Sequence, residues 1–366
     1  MEGSMSLNAR KELLVCIRQQ YQKASWKEKR KILDGFIAAT GYKRKYAIAL
    51  INQPENKEVR PNKRVKPIIY NDAVRQSLLT VWYAANQICS KRLVPFIPEL
   101  VHKLEFLGHL SLPSQTKELL LQMSVSTVDR LLKGERLKAH KGIITTRPGN
   151  LLKKQIQVKT FAEWNEVVPG FLEVDLVAHC GGSAEGSFLN TLVLTDIAST
   201  WTECLPLLRK GKADVIFALQ VVQSLLPFPL LGIDSDNGSE FINYELLHFC
   251  ESKQITFTRS RAYRKNDQAH VEEKNGSIVR KIIGYDRYEG TEAWQALGEL
   301  YAVLRLYINF FQPSMKLISK HREGAKIRKK YDQAQTPYQR LLISSHIQQG
   351  IQEKIRKQYE ELDPIK

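Results

Sequence analysis

The sequence predicts an all-α region followed by an α/β domain with a mixed five-stranded sheet. Three observations support this division. Apolar residues at helical spacing dominate the first part, strand-like and helical segments alternate in the second, and the charge is unevenly distributed. Residues 1–150 hold 27 Lys and Arg against 12 Asp and Glu, whereas residues 151–366 hold 28 against 26. The basic first part is typical of a protein that binds a polyanion.

The first element, residues 1–53, is predicted to form helices with a break at Gly41. Lys43, Arg44 and Lys45 lie on the first turns of the helix that follows the break, which would suit a recognition helix in a DNA groove. A plain helical hairpin with a solvated charged face explains the same pattern. The segment therefore predicts a helix-turn-helix and leaves its role open between these two interpretations.

Two basic connectors flank a second helical region. The composition of residues 54–70 predicts an extended linker, and residues 134–165 predict another that lies along DNA. Between them, residues 71–133 end in two short helical patterns joined by a Ser-Val-Ser turn, and Arg130 on the last helix would face phosphate. A helical bundle without a role in DNA binding is the competing interpretation.

The α/β domain is predicted between residues 166 and 312. Its strand-like segments lie at 171–178, 188–197, 201–208, 229–235 and 255–260. Its helical patterns lie at 212–226, 243–253, 266–284 and 291–311. Three consecutive strands, then a helix, a strand, a helix, a short strand and further helices give a mixed sheet with flanking helices. Residues 313–366 are predicted to form a basic tail.

Three carboxylates lie where these elements would bring acids together. Asp175 lies within the strand pattern FLEVDLV, Asp236 follows a buried-strand pattern and precedes an Asn-Gly turn, and Glu272 opens a helical stretch. An acid at the carboxyl end of a strand in an α/β sheet is in the usual position for ligand binding. A structural salt bridge at Asp175 and a turn-forming role for Asp236 are the simpler explanations of each residue alone.

Two neighbouring acids compete with these assignments. Glu173 is nearer the start of its strand, and we expect it at an edge or paired with a basic side chain. Helical spacing places Glu272 on the same face as Val279 and Ile283, whereas Glu273 falls on a more polar face. We therefore expect Glu272 to point toward the sheet and Glu273 to be solvated.

Carboxylates from separate elements suit phosphodiester chemistry with bound metal ions. Two Mg²⁺ ions about 3.5–4 Å apart generate a nucleophile and neutralise the leaving oxygen, and they prefer hard oxygen ligands. Asp175, Asp236 and Glu272 would hold Mg²⁺ or Mn²⁺, and no organic cofactor is then needed. Six side chains near Glu272 are predicted to contact DNA: Arg259, Arg261, Arg264, Lys265, Lys274 and Asn275. A charged loop is the simpler explanation of the basic run.

The spacing of the acids also matches a known family. Asp236 and Glu272 are separated by 35 residues, and the strings TLVLTDIASTWTE, GIDSDNGSEFIN and TPYQRLL follow one another along the chain. In these features the chain resembles bacterial insertion-sequence transposases of the DDE type, whose catalytic core is similar to that of retroviral integrases. The resemblance implies a ribonuclease H-like fold, the triad Asp175, Asp236 and Glu272, cleavage and strand transfer at transposon ends, and homo-oligomers on DNA.

Two alternatives to transposition remain open at this stage. One is a metal-dependent nuclease without joining activity, and the other is a catalytically inactive, transposase-derived DNA-binding protein. The five cysteines have neither disulfide nor zinc-site spacing, and the most apolar stretch, residues 217–233, is interrupted by polar residues and prolines. We therefore expect a bacterial cytoplasmic protein that is associated with the nucleoid and has no membrane segment.

Overall fold

The computed structural model describes residues 5–53, 69–136, 157–158, 168–261, 268–323 and 326–366. The chain divides into one unit up to Ile69 and a second unit from Tyr70 onward. Almost all of the predicted linker 54–70, and most of the linker 134–165, lie outside the described residues. Within the described part of the chain, no helix is long and apolar enough to cross a membrane.

The described residues of the first unit form three helices: α1 (Leu7–Lys23), α2 (Trp26–Thr40) and α3 (Arg44–Ile51). Gly41 ends α2 in a left-handed conformation with a φ of 71°, which glycine adopts without steric cost. The apolar faces of α2 and α3 meet through Leu33, Phe36, Ala47 and Ile51, which are all buried. The predicted helices on either side of Gly41 are thus present, and their binding of DNA stays a prediction.

Four more helices begin the second unit: α4 (Asp72–Ala84), α5 (Ser90–Phe106), α6 (Ser114–Leu121) and α7 (Val125–Arg136). The Ser124 hydroxyl accepts a hydrogen bond from the Thr127 N–H at 3.3 Å and so satisfies one free donor in the first turn of α7. Their buried residues, including Leu78, Leu93 and Leu100, belong to the same hydrophobic cluster as residues of the sheet. These helices therefore form part of one compact unit with the α/β domain.

The sheet has the strand order β1-β6-β5-β2-β3-β4. Strands β2, β3 and β4 are antiparallel neighbours, whereas β5 is parallel to β2, and β6 and β1 continue in the parallel sense. The five predicted strands are confirmed. Strand β1 was not predicted: it lies in the predicted linker 134–165, and its two residues are too few to show an alternation of apolar and polar side chains. The bounds are β1 (Gln157–Val158), β2 (Phe171–Ala178), β3 (Asn190–Asp196), β4 (Thr202–Leu207), β5 (Gly232–Ser235) and β6 (Thr256–Arg259).

Helices cover both faces of the sheet because the side chains of β2 alternate between two apolar clusters. Leu172 and Val174 join one cluster with residues of α8 and α9, and Val177 joins the other with residues of the helices that follow β6. After β6, helix α10 continues without a break as a π-helix over Asn275–Arg280. Helix α11 follows as a separate element. The bounds are α8 (Lys212–Leu225), α9 (Tyr244–Ser252), α10 (Ala269–Lys274) and α11 (Gly290–Phe311).

The segment 313–366, predicted as a basic tail, is folded, and the prediction is corrected here. It forms a hairpin of β7 (Leu317–Glu323) and β8 (Lys326–Tyr331), followed by α12 (Pro337–Ile343) and α13 (Gln349–Glu361). The Tyr338 and Tyr359 rings stack with centroids 4.7 Å apart, and Phe310 of α11 lies 5.1 Å from Tyr338. Aromatic packing therefore joins the end of the chain to the core, although its charge pattern resembles that of a solvated tail.

Candidate active site

Asp175 lies near the middle of β2, where its carboxylate is held by two donors. Its Oδ1 accepts a hydrogen bond from the Leu176 N–H at 2.8 Å, and its Oδ2 accepts one from Asn275 Nδ2 at 2.7 Å. Burial, together with the negative charges of Asp236 and Glu272, raises the pKa of Asp175 to about 7, although the two hydrogen bonds act in the opposite direction. The negative charges of Asp236 and Glu272 therefore both act on Asp175.

Asp236 directly follows β5, which is the parallel neighbour of β2. Its Oδ1 accepts a hydrogen bond from the Gly238 N–H at 2.8 Å, the local turn bond that the Asn-Gly pattern predicts. Burial raises the pKa of Asp236, the Gly238 N–H and Lys210 lower it, and Glu240 raises it further. The Asp236 carboxylate therefore stabilises the turn and also acts electrostatically on Asp175.

Glu272 lies in the first turn of α10 and is exposed. Its charge nevertheless contributes to raising the pKa of both Asp175 and Glu173, so it lies on the side of α10 near these acids. Glu273, which we expected to be solvated, instead contacts Arg92 at 2.8 Å and the buried Lys274 at 3.3 Å. This expectation was wrong because Arg92 of α5 approaches α10 from a distant part of the chain.

Glu173 is fully buried, and the expectation of an edge position or a basic partner was wrong. Its Oε2 accepts hydrogen bonds from the N–H groups of His270 at 2.8 Å and Val271 at 2.9 Å, in the first turn of α10. These N–H groups have no partner within the helix, so a carboxylate there replaces the missing acceptors. Glu173 thereby connects β2 directly to the helix that carries Glu272.

A second buried acid, Asp234, pairs with Glu173 across β2 and β5. Thr258 donates to Asp234 Oδ1 at 2.6 Å, and Gln268 donates to the backbone oxygen of Asp234 at 3.2 Å. Burial raises the pKa of Glu173 well above its ordinary value, and the charge of Asp234 adds to the effect. The sequence signal was present, since both acids stand inside apolar strands, but their partners lie in distant segments.

The donor set suits a hard divalent cation. The side chains near Asp175 are carboxylates and an amide, and burial and negative charge act together on its carboxyl group. The Asn275 Oδ1 and Glu173 Oε1 atoms are also buried and accept no hydrogen bond from the described residues. Within the described part of the chain, no three acidic, imidazole or thiol groups already stand at metal-binding distance. The residues fit the chemistry of Mg²⁺.

The predicted DNA contacts have different surroundings. Lys43, Arg44, Lys45 and Arg130 are exposed, and Arg44 also pairs with Asp34 at 2.5 Å. Arg259 donates to Asn237 Oδ1 at 3.0 Å, next to Asp236, and Arg261 is exposed. Two of the predicted residues, Arg264 and Lys265, lie outside the described residues.

Lys274 and Asn275 need correction as predicted DNA contacts. Lys274 is buried and paired with Glu273, and Asn275 donates to Asp175. The prediction took both residues from their position after Glu272, and it could not include the partners Glu273 and Asp175 or the π-helix that begins at Asn275. A π-turn shifts the following side chains around the axis and is common at functional sites. Asn275 is therefore a residue that orients Asp175.

Comparison with known proteins finds an integrase core in the part of the chain that forms the sheet. The sequence pattern of the integrase core domain family (rve) matches residues 167–265, which include Asp175 and Asp236. The protein y4rM of Sinorhizobium fredii is 46% identical over 333 residues, covering 90% of this chain and 94% of that protein. The chain belongs to the proteins with an integrase-like DDE transposase core. Its integrase core contains the whole five-stranded mixed sheet described above.

More distant relatives are viral. The Gag-Pol polyprotein of Avian reticuloendotheliosis virus is 31% identical over 117 residues, which cover 31% of this chain and 10% of the polyprotein. The HTLV-2 integrase catalytic core domain in complex with magnesium is 19% identical, with a TM-score of 0.31, and covers 40% of this chain and 92% of that one. The simian T-cell lymphotropic virus intasome is 16% identical, with a TM-score of 0.34, and covers 65% and 72%.

Proposed function

We propose that this chain is a DNA transposase that binds the ends of its element and catalyses metal-dependent phosphodiester cleavage and DNA strand transfer. The integrase-like core supports DNA integration or transposition in general terms. The observation that supports the finer proposal is the setting of Asp175, whose carboxylate is oriented by Asn275 and is acted on by the negative charges of both Asp236 and Glu272. Burial and these like charges raise the pKa of Asp175 to about 7, so a bound cation would stabilise its charged form.

The three carboxylates are the proposed ligands of Mg²⁺ or Mn²⁺. Bound there, a pair of divalent ions would supply a nucleophile at neutral pH and neutralise charge on the leaving oxygen. The chain's own residues prepare the site, since Asn275 fixes the Asp175 carboxylate and Glu173 holds the first turn of α10. The reaction requires no side-chain nucleophile and no organic cofactor.

DNA is the proposed partner of the basic surfaces. The helices of residues 1–53, with Lys43, Arg44 and Lys45, and the region 71–133, with Arg130, are the proposed DNA-binding regions, joined by the linkers 54–70 and 134–165 to the core at 166–312. Arg259, Arg261, Arg264 and Lys265 would guide phosphates toward the acids. We further propose homo-oligomers on DNA and a cytoplasmic, nucleoid-associated location.

The test is a strand-transfer assay with purified protein, supercoiled plasmid and a donor duplex that carries the element's own ends, in Mg²⁺ or Mn²⁺. Joined products that disappear in EDTA and in Asp236→Asn would support the proposal. The matched control is Glu299→Gln, which removes an acid from an exposed position on α11 and should react like the wild type.

The two alternative functions give different results in the same assay. Nicking without joined products would indicate a nuclease, and binding of the correct ends without any cleavage would indicate an inactive DNA-binding protein. Full activity of Asp236→Asn would contradict the assignment of the acids under either enzymatic function.

A further inference from the structure

The β7–β8 hairpin projects a dense group of positive charges. Residues 316–331, which we call the basic hairpin, hold seven Lys and Arg and one Glu. Lys320, Arg328, Lys329 and Lys330 are exposed. A strand of this length extends over about 20 Å, and a two-stranded ribbon fits the major groove of DNA. The dimensions and charge of the basic hairpin therefore suit a duplex.

Two lysines of the basic hairpin stand directly opposite each other. Lys320 of β7 pairs in register with Lys329 of β8, and the next pair is His321 with Arg328. Side chains at opposite positions in an antiparallel pair lie about 5 Å apart at their Cβ atoms, where like charges destabilise the hairpin. An anion between the two lysines would remove this repulsion.

The base of the basic hairpin is firmly attached to the core. The Ser314 N–H donates to the Gln335 oxygen at 2.9 Å, and the Lys316 N–H donates to Asp332 Oδ1 at 2.6 Å. Asp332 in turn pairs with Arg340 of α12 at 2.7 Å. The exposed lysines are therefore held in a fixed position relative to α12.

A cationic cavity lies between this base and α10. It has a volume of about 230 Å³, and His270 and Lys274 of α10 line it together with Lys316, Lys320 and Lys329. Glu273, the acid in its lining, is already engaged by Arg92 and Lys274. The remaining lysine charges have room for an anion beside the helix that carries Glu272.

We propose that the basic hairpin is a sequence-independent DNA-binding element that holds a duplex by its phosphates next to the active site. The inference rests on the proposed function, since it takes DNA as the substrate, and it adds a contact surface outside the N-terminal helices. Lysine contacts with phosphate position DNA without reading its sequence, so the bound DNA need not carry the element's ends.

The experiment measures binding of the full chain to a labelled duplex of random sequence by fluorescence anisotropy, in EDTA and over a salt series. The test variant is Lys320→Gln with Lys329→Gln. The matched control is Lys354→Gln with Lys357→Gln, which removes the same charge from exposed positions on α13, a helix with equal numbers of acidic and basic residues. Thermal unfolding confirms that both variants are folded.

We expect the hairpin variant to bind about tenfold more weakly, and the slope of log K against log salt to fall by about 1.8, for two lost phosphate contacts. The control should change affinity less than about twofold, since surface charge away from the DNA has a weak effect. Equal effects of the two variants, or wild-type binding by the hairpin variant, would overturn the proposal.

The result is independent of catalysis. Because binding is measured in EDTA, a protein that never joins DNA can still show a hairpin-dependent salt slope. Conversely, strand transfer with unchanged binding by the hairpin variant would keep the transposase assignment and remove this inference alone.

Discussion

Adjacent glutamates on α10 lie in opposite electrostatic surroundings. The charge of Glu272 adds to the burial and like charge that raise the pKa of Asp175 and Glu173. Although burial raises its pKa, Glu273 has a final pKa of about 2 because Lys274 and Arg92 act on it more strongly. Arg92 and Lys274 supply cations to Glu273, whereas the charge of Glu272 adds to that of neighbouring acids. The comparison distinguishes a structural ion pair from a group of acids that a bound cation would stabilise.

The largest expected effect tests the acids around Asp175. Asp175→Asn and Glu272→Gln should each lower DNA cleavage by about a thousandfold or more, because lost metal ligands cost several kcal/mol of transition-state stabilisation. DNA binding in EDTA should stay within about twofold of wild type, since affinity depends on distant Lys and Arg residues. Cleavage assays beside anisotropy measure both, and wild-type cleavage by either variant would contradict the comparison.

A smaller loss of activity is expected where Glu173 holds α10. Glu173→Ala leaves the His270 and Val271 N–H groups buried without an acceptor, at a cost of about 1–3 kcal/mol in folding free energy. Cleavage should fall about a hundredfold at low Mg²⁺ and partly recover at high Mg²⁺, because Glu272 is displaced rather than lost.

The conservative variant separates positioning from general stability. Glu173→Gln keeps an acceptor oxygen and should restore most of the activity. If Glu173→Gln were as inactive as Glu173→Ala, the carboxylate would have a role other than holding the helix.

Glu273 should show the reverse pattern, in which a substitution lowers stability and leaves activity unchanged. Glu273→Gln leaves Lys274 buried beside Arg92, so the free energy of unfolding should fall by about 2 kcal/mol. This is less than for a fully buried pair, because the Glu273 side chain is 36% exposed. Cleavage by the folded fraction should remain near wild type. Urea unfolding measures the first effect, and a loss of activity without destabilisation would assign Glu273 to the site.

The smallest effect is stabilisation by metal alone. A tenfold excess of Mg²⁺ over its Kd should add about 1.4 kcal/mol to the unfolding free energy, seen as a small rise in Tm. The Asp175→Asn variant should show no comparable rise. Equal stabilisation of both proteins would place the bound Mg²⁺ away from these acids.

Local patterns predicted the sheet, with Asp175 inside one strand and Asp236 after another, since alternation in FLEVDLV and the apolar run before Asp236 depend on neighbouring residues. Partners far along the chain could not be predicted in this way. Glu173 bonds to N–H groups nearly a hundred residues away, and Arg92 approaches Glu273 from α5. The π-helix was also missed, because nothing in the sequence around Asn275 departs from an ordinary amphipathic helix. These contacts are set by tertiary packing.

The aromatic packing of Phe310, Tyr338 and Tyr359 sets a limit on how far this chain can be shortened. A chain that ended at residue 312 would place the faces of Phe310 and Phe311 in water, although both are buried in the full protein. The segment that matches the family pattern is therefore smaller than the smallest unit expected to fold. A fragment that ended at residue 312 should therefore aggregate or be degraded rather than fold.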